Sequence, residues 1–474
     1  MDNNRGTFSG NIGFIFAAIG SAVGLGNLWG FPYKMGANGG FPFLVIYLVF
    51  VVFCGVIVMG VEMTIGRKTG KSPVFALAHI GKKYKFVGWF GVLSATIITG
   101  FYSVLIGYAL RYLWGFFIQI FGAVGFNNMS GAEFFVSFTG EWWMTLLFTL
   151  LTFVINYVIV AGGIQNGIEK FNKIGIPALF FILIAIIIYN FTLKGSEQGL
   201  VYMFTSKGME MAGTEFNFFT ACKSAAGQML FSCSLGMGIM ITYGSYLKKD
   251  SNISVNAWVI PMADTIAAIL AGMAIFPAVF AQGGTPNGGP GLLYITLHDT
   301  FTSMGYIGNF VGFLFYLLVI FAGISSSISL MEVVCSHVID SREEKGKTIN
   351  RKTATAIVSG IIFVISVFVC IDRLGGADGN PSFMAPLYQF LADGSKDLLD
   401  LLDFITEGLM MPIGAIIMCL LVGWKLKMPW MSEEIELEGN KFHCKKFFTI
   451  CVKYLTPLLM VFVLVALALS YLGG

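Results

Sequence analysis

The chain has 474 residues, of which 56% are hydrophobic and only 12% are charged, and its mean hydropathy is +0.79. Soluble globular domains carry about 25% charged residues, so this composition excludes them and predicts an all-α protein that crosses a membrane several times. The net charge of +3 gives no indication of a nucleic-acid partner, because the basic residues collect in the loops on one side of the predicted membrane. We therefore expect a lipid bilayer, and no nucleic acid, among the partners.

Apolar runs of spanning length follow one another along the chain. A transmembrane helix needs about 20 predominantly apolar residues. Runs of this kind lie near 12–35, 41–65, 87–121, 142–161, 168–193, 216–246, 254–282, 305–338, 353–371, 399–424 and 446–472. The sequence thus predicts eleven helical spans in a single transmembrane domain, residues 1–474.

The loops between the spans differ in charge. After the second, sixth and eighth runs they carry clusters of Lys and Arg, whereas the alternate loops carry more acids than bases. Because cytoplasmic loops are enriched in Lys and Arg, this pattern predicts a cytoplasmic N-terminus. Eleven spans then leave the C-terminus outside.

Glycines interrupt the first run at its centre. Gly20, Gly24 and Gly26 each destabilise a helix by roughly 1 kcal/mol relative to alanine. A helix that opens within lipid needs new partners for its carbonyl groups. A bound cation is one such partner, and the Asn27 side chain adds a neutral oxygen beside them. The alternative is that the glycines only allow a neighbouring helix to approach closely.

The sixth run has a matching interruption at 232–238. Two glycine-interrupted spans at corresponding positions of two halves are the best sequence indication of a transporter site between inverted repeats. Five spans end on the opposite side of the membrane from where they began. Spans six to ten must therefore run in the opposite sense to spans one to five. We therefore predict a first repeat over about 11–193, a second over about 214–424, and one extra helix over about 446–472.

The fifth span contains a glycine and a proline ten residues apart, Gly167 and Pro177. This pair indicates either a static kink or a hinge that unwinds at the cytoplasmic side. The static kink is the more common meaning.

Neighbouring hydroxyl groups occur within the eighth span, at Ser325 and Ser326. Intramembrane hydroxyls usually bond back to a carbonyl one turn earlier, which remains the alternative interpretation. Adjacent residues project from neighbouring angles of one helix face, so the two hydroxyls can also act together. Five neutral oxygens, a set that suits sodium, would then come from these hydroxyls and from the carbonyls of Ala322, Gly20 and Val23.

Acidic residues also occur inside the apolar runs, which indicates function by default. If it is ionised, Asp264 in the seventh span would complete a second cation site. Its other ligands would be Asn27, Ser232 and the Ala22 carbonyl. The alternative is a protonated carboxyl that is hydrogen-bonded to a neighbour. Glu62 in the second span is expected to bond the amide groups exposed by the first break, or else to link two helices.

The predicted cavity between the two breaks suits a ligand with a carboxylate. The half-helix that begins near Leu25 and Gly26 would direct amide donors toward it. The hydroxyl of Tyr102 is a further donor, although a single tyrosine in a span is more often interfacial or a packing residue. The remaining wall would consist of Ile98, Phe231, Ser234, Met237 and Leu330.

Three motifs together resemble those of the neurotransmitter:sodium symporter family. They are Gly-Ser-Ala-Val-Gly-Leu-Gly-Asn followed by Phe31-Pro32, Ser-Leu-Gly-Met-Gly in the second break, and Ala-Gly-Ile-Ser-Ser in the eighth span. The resemblance implies the leucine-transporter fold, with unwound first and sixth helices. It also implies transport of an amino acid whose carboxylate touches the first of two sodium ions. The eleven spans are similar to those of the shorter bacterial members.

The resemblance also implies roles for particular residues. The substrate site would comprise Ala22, Gly24, Leu25, Gly26, Ile98, Tyr102, Phe231, Ser232, Ser234, Met237, Ser326 and Leu330. The two sodium sites would use Gly20, Ala22, Val23, Asn27, Ser232, Asp264, Ala322, Ser325 and Ser326. A cytoplasmic gate would consist of Arg5, Tyr246 and Asp340, and Tyr102 would cover Phe231 as an outer lid.

Several positions depart from the family pattern. Gly30 stands where members usually have an arginine that pairs with an acid of the tenth span, so Asp403 lacks that partner and the outer gate must differ. Ala268 stands at a position that helps to hold chloride in relatives, or replaces it with a carboxylate. Asp264 replaces the asparagine of many members. We expect Asp264 to supply the negative charge that the sodium ions need, so that chloride is not required.

The sequence thus predicts a sodium-coupled symporter that imports a hydrophobic L-amino acid across the bacterial plasma membrane by alternating access. Met237 replaces the phenylalanine of leucine-preferring relatives and leaves room for a larger ligand, so aromatic substrates are expected ahead of leucine. The alternatives are a symporter for small aliphatic amino acids and a ligand sensor of the same fold that does not transport. The sequence gives almost no support to an enzyme, and we do not expect one.

Overall fold

The computed structural model describes residues 6–126, 128–214, 216–284, 286, 291, 293–376, 379, 382–391 and 396–472. Within these ranges the chain forms helices and loops and no strand. The membrane helices are α1 (Asn11–Ala22), α2 (Gly26–Ala37), α3 (Phe41–Thr69), α4 (Lys82–Ile120), α5 (Trp142–Ala161), α6 (Ile164–Asn190), α7 (Phe218–Ser232), α8 (Ile239–Gly244), α9 (Ile253–Ala281), α10 (Gly305–Glu344), α11 (Arg351–Gly376), α12 (Leu398–Ile435) and α13 (Lys445–Leu467). Short helices in the loops include Pro73–Ile80, Gly131–Gly140, Glu197–Phe204, Lys207–Ala212, Thr296–Ser303 and Ala385–Leu391.

The predicted spans agree with these helices, apart from shifts at their ends. In the described part of the chain, nine helices are long and apolar enough to cross a membrane, and α1 with α2 forms a tenth span that is bent by 44°. The predicted sixth run is divided between α7 and α8, each of which is shorter than a full span. The interruption between them lies where the sequence predicted it.

Helix α1 lies inside the protein and packs against α6, α9 and α10. Helix α6 comes so close to Gly20 of α1 that a Cβ atom added there would lie only 1.9 Å from Asn172 Oδ1. Gly20 is still helical, so its own role in the fold is to allow this close approach. Gly24 lies beyond the end of α1, in the break itself. Close helix approach thus explains Gly20, whereas the helix opens around Gly24; cation binding at this opening stays a prediction.

The first break follows Ala22, because Val23 has extended backbone angles (φ −76°, ψ 91°). Side chains take over the backbone groups that this opening exposes. The Gly24 amide donates to Asn27 Oδ1 at 2.9 Å, and the Leu25 amide donates to the Tyr102 hydroxyl at 2.8 Å. Two of the amide groups that the break exposes are thus satisfied by protein side chains, as backbone groups within a membrane must be.

The second break depends on backbone conformations that favour glycine. Gly236 and Gly238 both have φ +76°, and Ser234 has φ +57°. The Gly236 amide donates to Glu62 Oε1 at 2.7 Å. The prediction that Glu62 bonds the first break is therefore wrong, because α3 runs beside α8 and brings its carboxylate to the second break.

The predicted hinge lies at the start of α6. Its first turn, Ile164–Glu169, is π-helical and contains Gly167, where a Cβ atom would lie 1.9 Å from the Ile159 carbonyl oxygen. Pro177 lies inside the following helix. The segment between them is helical here, so its unwinding remains a prediction.

Candidate functional site

A cavity lies where the two helix breaks face each other. Its walls come from α1, α4, α10 and both breaks, and comprise Ser21, Ala22, Gly24, Gly26, Ile98, Tyr102, Phe231, Ser232, Ser234, Met237, Ile239, Ser326 and Leu330. The structure thus brings together the predicted substrate residues, with Leu25 contributing its amide to Tyr102. Ser21 and Ile239 were missed, although each is next to a residue that the motifs singled out.

The cavity is lined by both polar and apolar groups. At Gly24, a Cβ atom would lie 2.3 Å from Ser326 Oγ and 2.7 Å from the Tyr102 hydroxyl oxygen. Any side chain at this position would occupy the space beside both hydroxyls. Ile98 and Met237 are among the apolar residues of the wall. The arrangement suits a ligand with one polar end and one hydrophobic end.

Ser21 joins the two breaks to α10. Its carbonyl oxygen accepts hydrogen bonds from the hydroxyls of Ser234 and Ser326, both at 2.9 Å. Its own hydroxyl donates to Ser234 Oγ at 3.1 Å. The floor of the cavity is therefore one connected unit, and movement of either break would disturb the other.

Asp264 of α9 is fully buried beside the first break. Asn27 Nδ2 donates to Asp264 Oδ1 at 2.7 Å, and the Ser232 hydroxyl lies 2.9 and 3.0 Å from its two oxygens. Tyr47 and Cys233 add longer contacts to Oδ2, at 3.4 and 3.6 Å. The Asn27 amide group and the Ser232 hydroxyl can both donate to an ionised Asp264, and the same hydroxyl can accept from a protonated one. The charge of Asp264 therefore stays a prediction.

The structure therefore brings Asp264, Asn27 and Ser232 together, as predicted. Tyr47 and Cys233 were missed. Cys233 follows a predicted ligand in the second break, whereas Tyr47 gives no signal in an apolar run. Carboxylate and hydroxyl oxygens are groups that a hard cation prefers. Asn27 turns its Nδ2 group toward Asp264 and its oxygen accepts the Gly24 amide, so its role as a cation ligand stays a prediction.

The hydroxyls proposed for the other cation site already make hydrogen bonds. Ser325 Oγ donates to the Ala322 carbonyl at 2.8 Å, which is the back-bonded arrangement considered as the alternative. Ser326 Oγ donates across to Ser21 of α1. Gly20 and Val23 lie at the end of α1. A hydroxyl that donates its proton keeps lone pairs for a cation, so this site remains a prediction.

An outer vestibule lies above the cavity, on the side predicted to face outward. It has a volume of about 1530 Å³ including its open mouth, and it shares Gly26, Tyr102 and Phe231 with the inner cavity. The rings of Tyr102 and Phe231 lie 6.2 Å apart between the two spaces. Their position is consistent with the predicted lid.

The vestibule contains an ion pair between α2 and α12. Lys34 Nζ bonds Glu407 Oε1, and Asp403 lies within electrostatic reach of the same ammonium group. The space beside Gly30 is occupied by Gln228, which donates to the Gly26 carbonyl at 2.7 Å. Asp403 thus has a basic neighbour that we did not expect. Lys34 and Glu407 were missed, although charges inside apolar runs are a signal for such pairs.

The opposite, inner side is closed by a set of residues that we call the inner gate: Phe8, Tyr243, Tyr246 and Glu332. The Tyr246 hydroxyl donates to Glu332 Oε1 at 2.6 Å, and Arg351 bonds the other oxygen of Glu332. Asp340 accepts the Ser72 amide at 2.7 Å. Arg5 lies outside the described residues, so the predicted gate from Arg5, Tyr246 and Asp340 remains a prediction.

Comparisons with known proteins agree with these features. The sequence model of the sodium:neurotransmitter symporter family matches residues 5–123 and 127–378. An uncharacterised sodium-dependent transporter of Methanocaldococcus jannaschii is 33% identical over 438 residues, which cover 89% of this chain and 82% of the relative. An uncharacterised sodium-dependent transporter of Bacillus subtilis is 29% identical over 465 residues, which cover 96% of each protein.

A solved structure is similar over almost the whole chain. The crystal structure of MhsT in complex with L-phenylalanine has a TM-score of 0.83 and 33% sequence identity to this protein. The match covers 98% of this chain and 99% of that chain. The helix arrangement described above is therefore shared with that protein from end to end.

Proposed function

The chain belongs to the sodium:neurotransmitter symporter family, and from this premise we propose that it imports a hydrophobic, preferentially aromatic, L-amino acid together with sodium. Family membership makes it a sodium-coupled multi-pass membrane transporter and not an enzyme, with the leucine-transporter fold that the motifs predicted. The observation that carries the proposal is the cavity between the two breaks, which is lined by hydroxyl groups and by apolar side chains.

The wall of the cavity supports a hydrophobic substrate. It contains no Lys, Arg, Asp or Glu, so a charged side chain would be buried without a partner. Met237 is unbranched and can adapt its shape to a bulky ring, and its sulfur packs favourably against aromatic groups. The similarity to MhsT, which was crystallised with L-phenylalanine, agrees with this choice.

Two groups of oxygen atoms support two sodium sites. The first would use Asp264, Asn27, Ser232 and the Ala22 carbonyl, with the substrate carboxylate close by. The second would use Gly20, Val23, Ala322, Ser325 and Ser326. When bound, sodium would supply positive charge that stabilises the carboxylate of the substrate. The residues of this chain position the ion and exclude water around it.

The charge of Asp264 supports transport without chloride. A buried cation without compensating charge is costly, and Asp264 supplies one negative charge beside the first site. Ala268 offers neither a hydroxyl nor a carboxylate one turn further along α9.

The charge of the loops supports one orientation of the protein in the membrane. Lys and Arg in the loops after α3, α8 and α10 support a cytoplasmic N-terminus, an outward vestibule and an outward C-terminus in a bacterial plasma membrane. We further propose two inverted repeats, about 11–193 and 214–424, that move relative to each other around the cavity. Gly167 and Pro177 would allow α6 to unwind when the inner side opens.

Uptake by proteoliposomes tests the function directly. Vesicles that contain the purified protein should accumulate labelled L-phenylalanine when sodium is higher outside, with or without chloride, and should not do so in potassium alone. Unlabelled tyrosine and tryptophan should compete more strongly than leucine. Strongest competition by glycine, alanine or proline would contradict the substrate assignment, and binding without accumulation would indicate a sensor.

A further inference from the structure

We propose that Ser329 couples sodium binding to closure of the inner gate, through a hydrogen-bonded chain from Tyr243 to Ser325. The inference rests on the proposed function, because it assumes the sodium site at Ser325. The Tyr243 hydroxyl donates to Ser329 Oγ at 2.7 Å, and Ser329 Oγ donates to the Ser325 carbonyl at 2.9 Å. All three residues are buried, so water does not compete for these bonds.

One face of α10 carries both ends of this chain. Ala322, Ser325 and Ser329 are three and four residues apart, so they lie on the same side of the helix within about 10 Å. Ser325 Oγ donates to the Ala322 carbonyl at 2.8 Å, at the end where the sodium oxygens are proposed. Ser329 lies at the other end, facing the inner gate. Only two hydrogen bonds thus separate Ser325, at the proposed sodium site, from Tyr243 of the inner gate.

At the gate end of this hydrogen-bonded chain, Tyr243 contacts the segment that precedes α1. The ring of Phe8 packs edge-on against Tyr243 with centroids 5.5 Å apart, and against Tyr246 at 6.3 Å. The two tyrosines are three residues apart, as are their acceptors Ser329 and Glu332 on α10. Ser329 and Glu332 of α10 therefore each accept a hydrogen bond from one of the two tyrosines of the inner gate.

The hydrogen bond of Ser329 to the preceding turn explains how sodium could act on the gate. A serine that bonds the carbonyl four residues earlier tends to bend its helix, so the position of this turn depends on the hydrogen bond. Sodium held by Ala322 and Ser325 would favour the geometry in which Ser329 meets Tyr243. Because coupling is reciprocal, loss of the Tyr243 bond should weaken sodium binding to the closed state. One net hydrogen bond corresponds to about a two- to tenfold change in affinity.

Hydrogen exchange tests the coupling with sodium as the only ligand. The full chain in lipid nanodiscs is titrated with sodium chloride at constant ionic strength in choline chloride, and protection of the amides in residues 6–14 and 239–246 is measured. Sodium should protect these segments in the unmodified protein. In Ser329→Ala and in Tyr243→Phe, the half-saturating sodium concentration should rise about two- to tenfold. The double variant should show no further increase, since both changes break one chain.

Ser327→Ala is the matched control. Its hydroxyl accepts a hydrogen bond from Asn156 of α5 and takes no part in the chain, so its loss should leave the sodium titration unchanged. Ser329→Thr keeps the hydroxyl and should restore normal sodium dependence. Unchanged titrations in both single variants, or additive effects in the double variant, would overturn the coupling alone. An unmodified protein that gives no response to sodium would overturn the sodium site as well.

Discussion

Replacing Asp264 by asparagine tests the role of charge at the first sodium site. Asn27 has a defined orientation, because its Oδ1 accepts the Gly24 amide and its Nδ2 therefore faces Asp264. An asparagine at 264 can still present one oxygen to this Nδ2 group and to the Ser232 hydroxyl. We therefore expect Asp264→Asn to fold and to lose chiefly the negative charge.

The expected effect on sodium binding is large. At about 4 Å and an effective dielectric constant of about 20, one unit charge attracts a sodium ion by roughly 4 kcal/mol. This value is an upper limit, since hydroxyl and amide oxygens remain in place. Even half of it corresponds to more than a tenfold loss, and we expect sodium affinity at this site to fall by about 100-fold.

The assay is uptake of labelled L-phenylalanine as a function of sodium, in chloride or in gluconate. The unmodified protein should work equally in both, whereas Asp264→Asn should be inactive in gluconate and partly restored by chloride. Tyr47→Phe is the control, because it removes a hydroxyl 3.4 Å from Oδ2 but keeps the charge. Its sodium dependence should change by no more than about twofold. Full activity of Asp264→Asn in gluconate would refute the reasoning.

Three further predictions concern the pocket, the second sodium site and the vestibule. Met237→Phe should shift preference toward smaller aliphatic amino acids by roughly tenfold, since a rigid ring would fill the cavity; unchanged competition profiles would contradict this. Ser325→Ala removes one of five proposed ligands, so half-saturating sodium should rise about tenfold or more at normal expression, and an unchanged sodium dependence would exclude this ligand. The side chains of Lys34 and Glu407 are only 18% and 13% exposed, and Lys34→Gln leaves Glu407 without its ion-pair partner. Because this pair joins α2 to α12 across the vestibule, its loss should accelerate release of labelled substrate to the outside several-fold. Exchanging the two charges, Lys34→Glu with Glu407→Lys, should restore slow release, and no recovery would argue against the pair as a gate.

Much of the fold was predictable because lipid imposes a simple requirement on the chain. Each span must be long and apolar, and hydropathy alone therefore located the helices to within a few residues at most ends. Most of the part of α12 that lies beyond its predicted limit follows Lys427, whose backbone is not helical (φ 65°). The breaks were predictable for a related reason. Gly24 and Gly236 stand where a helix would otherwise continue; Val23 beside Gly24 has extended backbone angles, and Gly236 has φ +76°. Motifs around these breaks also identified nearly all of the cavity wall.

Only the tertiary structure decided which polar side chains meet. Glu62 was expected at the first break and lies at the second, and Lys34 meets Glu407 across 373 positions of sequence. Nothing in the local sequence distinguishes Ser329 from other intramembrane hydroxyls, and only the fold places the Tyr243 hydroxyl beside it. A helix that is apolar on every side has no periodic pattern to show which face turns toward which neighbour. Rotation and pairing of the spans are set by packing between distant segments, and these contacts complete the site that the local motifs begin.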